Sequence, residues 1–187
     1  KDELKANRDF VLRVMKKAGR ALEYVSKELR ADREIVLTAT KQHRWAFEYA
    51  SDELKADRDL VMELVAIDGI ILKYVSDDLK AEAEVVFAAV KNHRWALEYA
   101  NENLRSDPEF VLRCAAESIY ACEYAADELL SDVDFALKIV SLNGRSLAFL
   151  SDELRANEQI ALVALQSYPR AFEYLAVELQ SDPELLD

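Results

Sequence analysis

The chain has 187 residues, is 51% hydrophobic and 32% charged, and carries a formal net charge of −12. It is too apolar for a disordered chain and long enough to bury a sizeable core. Three glycines and three prolines supply too little turn chemistry for sandwiches, barrels or phosphate-loop folds, so the composition points to an all-α class.

In chain order, Lys1 to Lys5 read as the end of a preceding helix, and a strict repeat follows. Leucine stands at Leu4, Leu29, Leu54, Leu79, Leu104, Leu129, Leu154 and Leu179, each step being 25 residues. Three residues after each leucine comes a short acid or amide: Asn7, Asp32, Asp57, Glu82, Asp107, Asp132, Asn157 and Asp182. This column predicts an N-cap, an acceptor for the free amides of a first helical turn. Pro108 and Pro183 then stand at the position that proline favours, and an acid follows in most copies, matching the positive end of the helix dipole. The apolar run behind it, as in Ile35, Val36, Leu37 and Ala39, predicts helix A over about ten residues. Gly19, Gly69 and Gly144 close helix A in three copies, where glycine is expected to take a left-handed conformation.

A second helix, B, is predicted through Ala46-Phe47-Glu48-Tyr49-Ala50-Ser51-Asp52-Glu53-Leu54. Its apolar residues recur at steps of three and four, which buries one broad face. The small column Ala21, Ala46, Ala96, Ala121 and Ala171 lets neighbouring helices approach closely. The aromatic column Tyr24, Tyr49, Tyr74, Tyr99, Tyr124, Phe149 and Tyr174 reads as core packing. A single 25-residue hairpin cannot bury its apolar face, whereas stacked copies can. The expected architecture is an α-solenoid of seven 25-residue helical hairpins, one array over residues 1–187. Ser181 to Asp187 open an eighth helix A, so the sequence reads as a piece of a longer chain, or as an array whose ends meet partners or another copy.

The run Leu29-Arg30-Ala31-Asp32 through Val36-Leu37, then Ala46-Phe47-Glu48-Tyr49-Ala50-Ser51, resembles the tandem repeats of domain of unknown function 4116. The resemblance extends over all seven periods. It implies helical repeats and an interaction role and brings no catalytic residues. His43-Arg44 and His93-Arg94 depart from the Asn-Gly usual in that family.

Chemistry-bearing residues are few. The triplets His43-Arg44-Trp45 and His93-Arg94-Trp95 stand two periods apart. At roughly 10 Å per layer they lie about 20 Å from each other, too far to share a metal bonded at about 2 Å. They read as a basic-aromatic binding ridge, or as loops stapled by Trp45 and Trp95 against Ile70. Cys114 and Cys122 occupy apolar columns and read as buried thiols, with a disulfide as the alternative. No nucleotide, nucleophile or zinc signature appears, so neither catalysis nor a cofactor is expected.

Charge is uneven along the chain. Residues 1–50 hold 12 basic and 8 acidic groups, while each later stretch is net acidic. Arg13, Lys16 and Arg20 form the basic end. Exposed acids recur at Glu48, Glu98, Glu123 and Glu173, and at Asp52 and Asp127. An acidic surface repels nucleic acid, whose backbone requires a basic track, and no apolar run of about 18 residues predicts a membrane span. The sequence therefore predicts a non-catalytic scaffold with a protein partner that is basic where it meets the acidic columns. The alternative is a structural subunit of a larger assembly.

Overall fold

A computed structural model describes residues 7–181, and all regular structure among them is helical. The leucine and cap columns at Leu4 and Asp182, Pro183 and the opening of an eighth helix lie outside the described residues. The chain divides after Asn101 into two compact units. Both units are built from the same 25-residue repeat.

Each period folds into three pieces, which corrects the two-helix hairpin. In the second repeat a long α-helix, Arg33–Gln42, is followed by a 3-10 segment, Arg44–Tyr49, and a short α-helix, Asp52–Lys55. The predicted helix B breaks between the last two pieces, where Ala50 and Ser51 are both extended. A second cap marks the break in this repeat, where the Ser51 hydroxyl accepts the Leu54 N–H at 3.4 Å. Ser26 and Ser151 play the same part for Leu29 and Leu154, although the chain breaks in the same place at Ser76, Ala126 and Ala176 without a side-chain cap.

The first capping column behaves as predicted in six described copies. Asn7, Asp32, Asp57, Asp107, Asp132 and Asn157 accept N–H groups of their helices' first turns, and Pro108 occupies the first helical position. Glu82 makes no cap bond, its side chain being one methylene too long.

Repeats are joined by a backbone bond at a constant register. The N–H of Ser51 donates to the carbonyl of Arg30, Ser76 to Lys55 and Asn101 to Lys80 in the first unit. In the second, Ala126 donates to Arg105, Ser151 to Leu130 and Ala176 to Arg155, all at 2.9–3.0 Å. The core lies along this seam. In the long helix Ile35, Val36 and Ala39 are fully buried, and Phe47 fills the gap behind the 3-10 segment. Burying such large apolar side chains contributes about 1.5–3 kcal/mol each.

The glycines serve a different purpose from the one expected. None has positive φ. Instead, a Cβ at Gly19, Gly69 or Gly144 would lie 2.1–2.2 Å from the carbonyl oxygen of Ala39, Ala89 or Ala164, one repeat further on. Glycine is required by close approach of two backbones. Each of the three faces an alanine. The equivalent position holds Arg44, Arg94 and Ile119 in other repeats, so the requirement belongs to these three copies.

Candidate interaction surface

A 3-10 helix has three residues per turn, so its second and fifth positions eclipse each other. In the first unit these positions hold Arg20 with Glu23, Trp45 with Glu48, Ile70 with Lys73 and Trp95 with Glu98. Trp45 is 45% exposed and Trp95 43%, and Glu23, Glu48 and Glu98 are exposed beside them. Successive 3-10 segments pack side by side, so the pairs line up as a ridge.

The tyrosine column runs along the same ridge, which corrects its assignment to the core. Tyr24 is 65% exposed, and Tyr49, Tyr74 and Tyr99 are half-buried. Partial burial raises the Tyr49 hydroxyl above its ordinary pKa, with Glu23 and Glu48 adding to the effect and Arg20 opposing it. Tyr74 is raised by burial, then by Glu48 and Tyr49, against Arg44. Tyrosines and glutamates of consecutive repeats thus share one environment.

Cations already sit on several ring faces. The guanidiniums of Arg20 and Arg44 lie 5.8 and 5.9 Å from the Trp45 ring centre, Arg94 lies 5.3 Å from Trp95, and the Lys73 ammonium 5.6 Å from Tyr74. Such placements are attractive through the ring quadrupole. His43 packs on Trp45 at 5.1 Å and His93 on Trp95 at 5.3 Å. Both histidines occupy the cap position of their 3-10 segments. His93 Nδ1 accepts the Trp95 N–H at 3.4 Å, as Asp68 accepts Ile70 at 3.1 Å and Asn143 accepts Arg145 at 3.0 Å. His43 Nδ1 is buried without a partner.

The long-helix edge of the same unit is electrically different. Arg8 pairs with Asp32 at 2.7 Å and with Glu34 at 2.5 Å, Arg58 with Glu82 at 2.8 Å and Lys41 with Glu63 at 2.8 Å. Arg44 pairs at 2.8 Å with Asp68, the cap of the next 3-10 segment. Burial pushes the Asp32 carboxyl up, but the Arg8 guanidinium and the amides of Ile35 and Glu34 outweigh it, leaving Asp32 below its usual value. The Lys41 hydrogen bond likewise lowers Glu63. On the ridge, Glu23, Glu48 and Glu98 are unpaired among the described residues. Asp52, at the head of the short helix, is a weak partner for Lys55 at 4.0 Å. The expected basic cluster Arg13, Lys16 and Arg20 is exposed.

In the second unit Glu123, Asp127 and Glu173 are exposed. There Tyr120 meets Phe149 edge-on at 6.3 Å, and Arg145 lies 5.0 Å from the Tyr120 ring centre. Cys114 and Cys122 are free and buried, and burial pushes both thiols up to about 12. Among the described residues no three His, Cys, Asp or Glu side chains gather to hold a metal. No described helix is long and apolar enough to cross a membrane.

Comparison with known families identifies the repeat itself. Residues 7–55, 32–80, 57–105, 83–130 and 132–180 each match the domain of unknown function (DUF4116). Every matched window spans about two of the 25-residue periods. No curated protein and no solved structure matches the chain.

Proposed function

The chain belongs to the domain of unknown function 4116 family, and on that premise we propose that it is a non-catalytic scaffold that binds another protein through its 3-10 ridge. One observation carries the reading. Positions that face the seam are held to small or apolar types, whereas the second position of the 3-10 segment varies: Arg20, Trp45, Trp95 and Arg170 are exposed there, and Ile70, Tyr120 and Arg145 half-buried. A constant frame with a variable exposed column is the design of repeat proteins that recognise partners. The constant inter-repeat bond within each unit supports the finer reading that the repeats form an α-solenoid. The exposed tryptophans supply the aromatic anchors that dominate protein interfaces. Three unpaired glutamates on the ridge of the first unit outnumber its cations without an acid partner, Arg20 and Lys73, which favours a basic protein surface over nucleic acid.

Affinity capture of the chain's partner, followed by Trp45→Ala and Trp95→Ala, tests this. The double variant should lose the partner at least tenfold while keeping its helical signal. Unchanged binding would remove the ridge from the account. Ile67, Leu142 and Leu162 are large apolar side chains 44–50% exposed, which favours a second reading as a structural subunit. That reading requires the purified chain to associate with concentration, where the scaffold reading requires a monomer.

A further inference from the structure

Within the first unit, acids are treated in two ways. Those on the long-helix edge, Asp32, Glu34, Glu63 and Glu82, are each matched by an arginine or lysine of an adjoining repeat. Those on the ridge, Glu23, Glu48 and Glu98, stand unpaired beside exposed aromatic rings. Pairing is frequent but incomplete on the long-helix edge, where Asp9 and Asp59 have no basic partner among the described residues, and is absent for the three ridge glutamates. The ridge also shows what suits it. At the single position of this column that carries a base instead of an acid, Lys73 places its ammonium 5.6 Å from the Tyr74 ring centre. A cation beside a tyrosine in this row is therefore already realised once inside the molecule.

We propose that the ridge of the first unit docks an extended basic segment of a protein partner, one side chain per repeat, in a fixed register. The proposal rests on the scaffold reading above and specifies its ligand. Along the ridge the fifth position reads Glu23, Glu48, Lys73, Glu98. The layers are roughly 10 Å apart, and an extended chain advances about 3.3 Å per residue. The partner therefore carries an arginine or lysine about every third residue opposite Glu23, Glu48 and Glu98, and an acid opposite Lys73. Each cation lies between consecutive tyrosines, Tyr24 and Tyr49 in the first step, with a glutamate at its head. Arg20 and Arg44 do not compete for these acids, since Arg20 lies over Trp45 and Arg44 is held by Asp68 at 2.8 Å.

The test uses the full chain and synthetic peptides of one composition, one in the predicted order of charges and one scrambled, with binding followed by Trp45 and Trp95 fluorescence. The ordered peptide should bind roughly threefold to tenfold more tightly than the scrambled one, and Glu48→Gln with Glu98→Gln should abolish that margin. Lys73→Glu should reverse the preference toward a peptide with a cation at every step. Glu34→Gln on the paired edge should change nothing. Equal binding of ordered and scrambled peptides overturns the register. Equal binding of the parent and the doubly substituted chain overturns the cationic ligand, as does tighter binding of a phosphate-rich strand. If the partner itself still depends on Trp45 and Trp95 after such a result, the scaffold reading stands and only this inference falls.

Discussion

Replacing Gly69 with alanine places a Cβ 2.1 Å from the Ala89 carbonyl oxygen and 2.9 Å from both its carbon and the His93 Cβ. Ordinary contact begins near 3.4 Å, so the long helix Ala83–Asn92 must retreat by more than an ångström. The obstacle is backbone and cannot rotate away. The same retreat pulls on Asn92, whose carboxamide accepts the Gly69 N–H and donates to the Ala66 carbonyl, both at 3.0 Å. Overpacking of this kind costs about 1–3 kcal/mol, and loss of one of those bonds about 1 kcal/mol more. Because Gly69 has no positive φ, alanine returns roughly 0.5 kcal/mol through the unfolded chain. The net expectation is about 2–3 kcal/mol, or a fall in melting temperature of roughly 2–4 °C for each kcal/mol. Trp45 and Trp95 are the chain's two tryptophans and both lie in the first unit, so their fluorescence during urea unfolding reads this unit alone. Arg44→Ala, at the equivalent position one repeat earlier, should change stability by under about 1 kcal/mol, since it removes only exposed charge contacts. A Gly69→Ala chain with an unchanged midpoint would refute the close-approach argument.

Asp132→Ala removes the acceptor for the Phe135 N–H at 2.7 Å and should cost about 1 kcal/mol in chemical unfolding. Cys114 and Cys122, buried and raised to about 12, should react with a maleimide at neutral pH only as fast as the second unit opens, so rapid labelling without denaturant would contradict their placement. Asp32 and Glu63 have carboxyls lowered by Arg8 and Lys41. Their stabilisation is present above the ordinary carboxylate range of about 4 and is lost as pH falls through the lowered values, so acid unfolding of Arg8→Ala with Lys41→Ala should show a flatter pH dependence below that range. Tyr49 and Tyr74 are raised chiefly by burial and should ionise later than free tyrosine in an ultraviolet titration, with Glu48→Gln bringing both back toward it.

Local chemistry was legible in the sequence; tertiary contact was not. The Asn/Asp column announced the long helices because a cap bond reaches only two or three residues, and Pro108 marked a first helical position for the same reason. The break at Ala50 and Ser51 was hidden because Ala46, Tyr49, Ala50 and Leu54 fit an α-helical period. The missed signal was Ser51 followed by Asp52 and Glu53, a cap before an acidic first turn that passes for a solvated helix end. Assuming 3.6 residues per turn also misplaced the tyrosines. With three per turn, Phe47 and Ala50 face the seam while Tyr49 is moved to its rim. The glycines were misread because a turn and a backbone contact one repeat away leave the same mark in a sequence. The exposure of Glu48 and Glu98 was legible. Their lack of partners was not, because it depends on Arg8, Lys41 and Arg58 reaching acids 22–26 residues away on the other edge.

A photo-crosslinking side chain placed in turn at positions 45, 48 and 95 on the ridge, and at 34 and 82 on the paired edge, tests the central claim in the chain's own cellular source. The account predicts one protein adduct shared by the three ridge positions and absent from both edge positions. Adducts of equal yield from the two faces, adducts from the edge alone, or adducts to nucleic acid would contradict it.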